Sequence, residues 1–203
     1  MPIIYLSPST QENNMYVTGG SEEQWMNRLA DAMVPYLDAS GIQYTRNTPD
    51  MTAVSSIRAS NAGTYDLHLA LHSNAAPADR YGTVRGIIVF YYPGSVNGRR
   101  AAVLMADNLK AIYPLPDKEG TTAIGEVRQP RAPSVFLELG YHDNADDATW
   151  VTGHLDEIAR NLVLSLTEYF GIPFLYPTAP RSGVVDVSWG YLNIRARPDT
   201  TAP

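Results

Sequence analysis

Short apolar runs that read as strands alternate with amphipathic helical stretches along most of this chain, and that alternation fits an α/β fold on a largely parallel sheet. Ile3-Ile4-Tyr5-Leu6-Ser7 opens the pattern as a first strand. Ser21, followed three residues later by Gln24, makes a capping box ahead of the apolar stripe Trp25, Leu29, Met33 and Leu37, and Gly41 closes that helix. Residues 42–46 read as a second strand, 54–61 as a short helix, 65–72 as a third strand, and 86–92 as a fourth, rich in Ile, Val and Tyr. Residues 96–113 form a helical stretch after a Pro-Gly turn, and 134–139 is another buried strand. Residues 150–170 read as one long helix with Val151, Leu155, Ile158, Leu162 and Leu166 on a single face. The expected architecture is a single twisted, mostly parallel sheet of about five or six strands with helices on both faces.

Composition narrows the functional classes. A chain of 203 residues, 44% apolar and 18% charged, holds one globular domain and little more than an appendage. Its formal charge of −6, with no basic cluster beyond Arg99 and Arg100, argues against a nucleic-acid surface. Without cysteine, any metal must be held by histidine, carboxylate, amide or water. Met1 runs directly into the first strand with no basic and apolar leader, and no stretch reaches membrane-spanning length, so neither an ordinary signal peptide nor a membrane partner is expected. Pro173, Pro177 and Pro180 crowd together and suggest a stiff linker at 174–182 between a domain at 1–173 and a short segment at 183–203. Within that segment Leu192 to Pro198 resembles the opening of a bacterial SH3-like wall-binding module. Twenty-one residues are too few for a complete one, so the segment is either part of a longer protein or folds back on the main domain.

Chemistry concentrates at Tyr65–Ala75, YDLHLALHSNA. Strand alternation places His68, Ala70 and His72 on one face, with the histidines about 13 Å apart, too far to share one ion. His72 stands at the carboxyl end, where open α/β sheets place their ligands, whereas His68 reads as a sheet-face residue. Glu138 ends the apolar run Ser134-Val135-Phe136-Leu137, an expensive place for a carboxylate without a metal, a partner or a substrate proton. Glu23 lies in the first turn of the first helix, where the dipole favours an acid, and Glu22 beside it reads as a cap. Parallel strands would bring His72, Glu138, the loop Pro8–Asn14 and Glu23 to one crevice, and two ligands with a base and an open position suit zinc. Ser73 adjoins His72, but no Gly-x-Ser-x-Gly elbow occurs, and Gly19-Gly20-Ser21 lacks the lysine of a phosphate loop.

Glu23 with Asn27, Arg58 with Asn61, His72-Ser73-Asn74-Ala75, Gly86 before Ile87–Tyr92, and PSVFLELGYHDN at Pro133–Asn144 together resemble the zinc-dependent N-acetylmuramoyl-L-alanine amidases of bacterial wall remodelling and phage endolysins, over roughly residues 3–172. The resemblance implies that Glu23 and His72 bind Zn2+, that Glu138 is the general base and acid, and that the bond cut joins N-acetylmuramic acid to L-alanine in bacterial peptidoglycan. Arg58, Asn74 and His142 are the candidates for substrate contact, with Arg58 equally able to pair with Asp66 and Asn74 to shape the turn after His72. The family usually carries a histidine ligand just after the first strand, whereas this chain reads Ser7-Pro8-Ser9-Thr10-Gln11-Glu12-Asn13-Asn14. Gln11 or Glu12 is the favoured substitute, with Thr10, Asn13, His68 and His142 left open. The alternative is a noncatalytic wall-binding or regulatory relative. A wall-directed enzyme without a leader would be made in the cytoplasm and released by lysis, as an endolysin is, or by a nonclassical route.

Overall fold

The computed structural model describes residues 1–115 and 118–178. The later part of the expected linker and the SH3-like segment lie outside the described residues.

Six strands form one sheet: β1 (Ile3–Pro8), β2 (Gln43–Arg46), β3 (Leu67–Asn74), β4 (Ile88–Tyr91), β5 (Lys118–Thr121) and β6 (Ser134–Tyr141). Their order is β2-β1-β3-β6-β4-β5. β2, β1, β3 and β6 run parallel; β4 is antiparallel to β6, and β5 is parallel to β4. The carboxyl edge shared by β1, β3 and β6 therefore receives the amino end of β4, not its carboxyl end, within the mostly parallel sheet the sequence leads one to expect. β5 carries Lys-Glu-Gly-Thr, so no apolar run announces it, as suits a short polar edge strand.

Helices cover both faces. α1 (Glu22–Ala39), α3 (Val96–Leu109) and α6 (Leu155–Phe170) pack together on one face, and their Met26, Leu29, Met33, Ala102, Met105, Leu162 and Leu166 meet Ile4, Leu6, Leu69, Leu71, Leu137 and Leu139 of the sheet in the main core. Ser21 caps α1 by accepting from the Gln24 N–H, and Gly41, at φ 72°, supplies the left-handed residue that turns the chain into β2. α2 (Ala53–Ala62) and α4 (Gly125–Arg128) touch each other on the opposite face, over a thinner apolar cluster of Ala70, Phe136 and Val127. The long helix expected at 150–170 is two: α5 (Ala145–Gly153) and α6 meet at His154, whose Nδ1 bonds the Trp150 carbonyl. Asn144 starts α5 early by capping Asp146 and Asp147, and Gly153, a poor helix former, ends it. Past α6, Phe174 and Tyr176 pack edge to face and both rest on Tyr36 of α1, so the first part of the proline-rich stretch is tied to the domain.

One buried carboxylate joins β4, β6 and α5. Asp147 accepts from Tyr113 Oη (2.7 Å), Arg85 Nε (2.9 Å), Gly86 N (2.9 Å) and Tyr141 N (3.0 Å). Gly140 makes this approach possible: its φ is 74°, and a Cβ there would come within 3.1 Å of Asp147 Cβ. The register of β3 against β6 slips by one residue across this point, between His72 and Asn74. Asp147→Ala would leave the buried Tyr113 hydroxyl and Gly86 N–H without this acceptor and is expected to cost about 3–5 kcal/mol of stability, read by urea unfolding. A loss under about 1 kcal/mol would show that the carboxylate does not hold this junction.

Candidate active site

At the carboxyl edge of β3 and β6 one imidazole is held between two carboxylates. His72 lies two residues before the end of β3 and is only 5% exposed; its Nδ1 lies 2.8 Å from Glu22 Oε1 and its Nε2 lies 3.0 Å from Glu126 Oε2. Phe136 of β6 stacks on the ring at 4.3 Å between centroids, which leaves in-plane hydrogen bonds as the means of fixing its orientation. Glu138, also on β6, is the register partner of His72 and shares its face of the sheet.

Glu22 reaches this edge from the first turn of α1 and is fully buried. Besides His72 it accepts from Asn14 Nδ2 (2.7 Å) and the Ser73 N–H (3.3 Å). Gln11, in the loop after β1, has its Nε2 3.5 Å from His72 Nδ1, and its Oε1 accepts from the same Asn14 amide at 2.9 Å. Glu126, 4% exposed on the four-residue α4, receives the Ser7 hydroxyl at 2.8 Å, while His68 Nε2 stands 3.8 Å off.

These contacts set the charges. Burial acts most strongly on each group, against its ionised form, and the partners outweigh it in three of the four. His72 is pushed up to about 10 by its bonds to Glu126 and Glu22 despite burial. Glu126 is drawn down to about 2 because His68 and His72 overcome its burial, and Glu22 falls below the usual carboxylate range through His72, Asn14 and Ser9. Glu138 goes the other way: burial, helped by the negative charges of Glu22 and Glu126 and opposed by His72, raises it to about 8. Its Oε2 is sheltered and has no hydrogen-bond partner among the described residues.

The structure brings His72, Glu138 and Gln11 to one edge, and of the two glutamates that open α1 it is Glu22, not Glu23, that lies against His72. The Glu23 carboxylate is turned aside to accept from Asn27 Nδ2 at 3.1 Å. Glu12 is exposed in the loop. Arg58 is exposed on α2, about 200° around the helix from the buried Ser56 and Ser60, and so faces away from the sheet and this edge. Asp66 is engaged elsewhere, accepting from the Ile3 N–H at 2.8 Å. Asn74 shapes the strand end: its Oδ1 accepts from the Ala75 N–H and its carbonyl from the His142 N–H. His142 is buried, with Nδ1 3.2 Å from Ser73 Oγ and its ring against Tyr16. His68 stacks on Tyr5 and bonds Ser60 Oγ at 3.0 Å, the sheet-face role foreseen for it.

The carboxyl edge of this open α/β sheet thus carries a fixed imidazole and, among the described residues, a carboxyl oxygen without a partner, groups of the kind that acid–base chemistry uses. Residues 9–168 match the N-acetylmuramoyl-L-alanine amidase family, and the chain belongs to it. The fold is similar to that of the amidase AmiC2 of Nostoc punctiforme (TM-score 0.75, 15% identity, 84% of this chain and 97% of that one). It is also similar to the catalytic domain of the amidase CwlV from Bacillus (Paenibacillus) polymyxa var. colistinus (0.76, 15%, 85% and 100%). A third likeness is to the catalytic domain of the CD27L endolysin targeting Clostridia difficile (0.68, 19%, 83% and 97%). No curated protein sequence matches the chain significantly. Among the described residues no helix is long and apolar enough to cross a membrane.

Proposed function

We propose that this protein hydrolyses the amide between N-acetylmuramic acid and L-alanine in bacterial peptidoglycan, with zinc held by Glu22, His72 and Gln11 and with Glu138 as general base and acid. The observation that carries the reading is Glu138, a sheltered carboxyl with a free oxygen and a pKa near neutrality, set beside the His72–Glu22 pair.

The donor set fits the metal with little to spare. Glu22 Oε1 and His72 Nδ1 stand 2.8 Å apart, a hydrogen-bond distance that would open by about half an ångström to reach the roughly 3.3 Å between two tetrahedral ligands whose bonds to zinc are about 2.0–2.1 Å. Among the described residues no group of three His, Cys, Asp or Glu side chains is placed to hold a metal ion, so the candidate for a third protein donor is the neutral amide of Gln11, whose Nε2 lies 3.5 Å from His72 Nδ1 and whose Oε1 accepts from Asn14. The chemistry zinc supplies when bound is Lewis acidity toward a carbonyl oxygen and a water.

The remaining work falls to side chains. His72 would offer a metal its Nδ1, the ring nitrogen that faces Glu22 and Gln11. Glu138 takes a proton from the attacking water and returns it to the departing L-alanine nitrogen, and a pKa near neutrality serves both transfers. Activity belongs at the wall, and release by lysis in the manner of an endolysin is consistent with it.

The purified chain, incubated with peptidoglycan, is expected to release new L-alanine amino termini in the presence of zinc and to stop when a chelator is added. Folded protein that adheres to the wall but exposes no L-alanine termini under either condition would make it a noncatalytic wall-binding relative, the reading that the absent histidine after β1 would then favour.

A further inference from the structure

Glu126 has no part in the zinc and proton roles assigned above, yet it is nearly as buried as any charged group in the protein. Burying a carboxylate costs several kcal/mol unless its neighbours compensate. Its neighbours are specific: Ser7 Oγ donates to Oε1 at 2.8 Å, Ser56 Oγ lies 2.8 Å behind Ser7, and Oε2 faces His72 Nε2 at 3.0 Å. Although Glu126 lies in the first turn of the four-residue α4, its carboxylate is turned to Ser7 and His72.

An imidazole that binds a metal through one nitrogen must keep its proton on the other, and the group that accepts this proton fixes both tautomer and ring direction. Glu22 and Gln11 lie on the Nδ1 side of His72, and Glu126 lies on the Nε2 side. We infer that Glu126 is the positioning residue of the site: anchored by Ser7, it accepts the Nε2–H of His72 and thereby turns the Nδ1 lone pair toward Glu22 and Gln11, the residues that would hold a metal with it. This rests on the proposed zinc reading. It also compensates for the missing imidazole, because a carboxylate behind the one remaining histidine raises its basicity as a ligand.

Zinc affinity is measured for the folded wild type, Glu126→Ala, Glu126→Gln and Ser7→Ala by competition with a chromogenic chelator. Alongside it, the His72 ring protons are followed by 15N-edited NMR of the metal-free proteins. Glu126→Ala is expected to weaken zinc binding about 10–100-fold. Glu126→Gln, which keeps a carbonyl acceptor, should recover part of that loss, and Ser7→Ala, which touches Glu126 but not His72, should show a smaller loss. The His72 Nε2–H signal should lie far downfield in the wild type and Glu126→Gln and be lost in Glu126→Ala. A purely structural Glu126 would lower stability without changing zinc affinity per folded molecule, and equal affinity in folded Glu126→Ala would overturn the inference. If Glu126→Ala does not fold, Ser7→Ala and Glu126→Gln decide it, and wild-type affinity in both overturns it. Failure of the wild type to bind zinc would remove the proposed mechanism. The ring-proton signal would still decide the positioning, its absence in the wild type counting against it.

Discussion

Replacing Glu138 by glutamine is expected to slow amide hydrolysis on the order of 10²–10⁴-fold while leaving the fold, zinc uptake and adhesion to peptidoglycan intact. Glutamine has the same shape and keeps one acceptor, but it cannot take a proton from water or return one to an amine. Among the described residues the Oε2 of the wild-type carboxyl is sheltered and without a partner. Burial is the first cause of its rise to about 8, with Glu22 and Glu126 adding to it and His72 subtracting. An uncompensated buried carboxyl is a liability to the folded state, so the glutamine variant should be at least as stable as the wild type in thermal unfolding. That pattern, rate lost and stability kept, separates a catalytic group from a packing group. Release of L-alanine termini within about threefold of the wild-type rate would remove Glu138 from the mechanism, since proton transfer by a positioned side chain contributes far more than that.

The strands that position the site were legible because each is an apolar run of strand length with a polar tip. β3 ends in His72-Ser73-Asn74, and β6 carries Glu138 after Ser134-Val135-Phe136-Leu137. Two things were hidden, for different reasons. The direction of β4 is a tertiary fact: Ile88–Tyr91 would read the same in either orientation, and only its antiparallel register, Ile88 opposite Glu138, reveals that its amino end meets the site. Glu126 lies in TTAIGEVRQPRA, where neither alternation nor helical period marks an element; the only hint was an acid between Ile124 and Val127. Glu22 was legible and was misassigned as a cap. The buried residues of α1 are Glu22, Met26, Leu29, Ala30, Met33, Tyr36 and Leu37, so the helical period that carries the apolar face runs back to Glu22. Glu23, one residue and about 100° further round, falls beside Asn27.

That phase difference predicts that neighbouring glutamates will behave oppositely. Glu22→Gln is expected to weaken zinc binding by more than about 100-fold and to take hydrolysis down with it, because it removes the only anionic donor at His72 Nδ1. Some stability should go too: Glu22 is fully buried, and the amide cannot answer the charge on His72, so a loss of about 1–3 kcal/mol is expected in urea unfolding. Affinity must therefore be measured on protein shown to be folded. Glu23→Gln alters a carboxylate that touches only its own helix neighbour, and its effect on stability should stay within about 0.5 kcal/mol. Zinc affinity and turnover should remain at wild-type levels. If Glu23→Gln lost zinc and Glu22→Gln kept it, the metal would lie on the other side of the first turn of α1, Glu22 would be a structural partner of His72, and Gln11 would lose its place as the third donor.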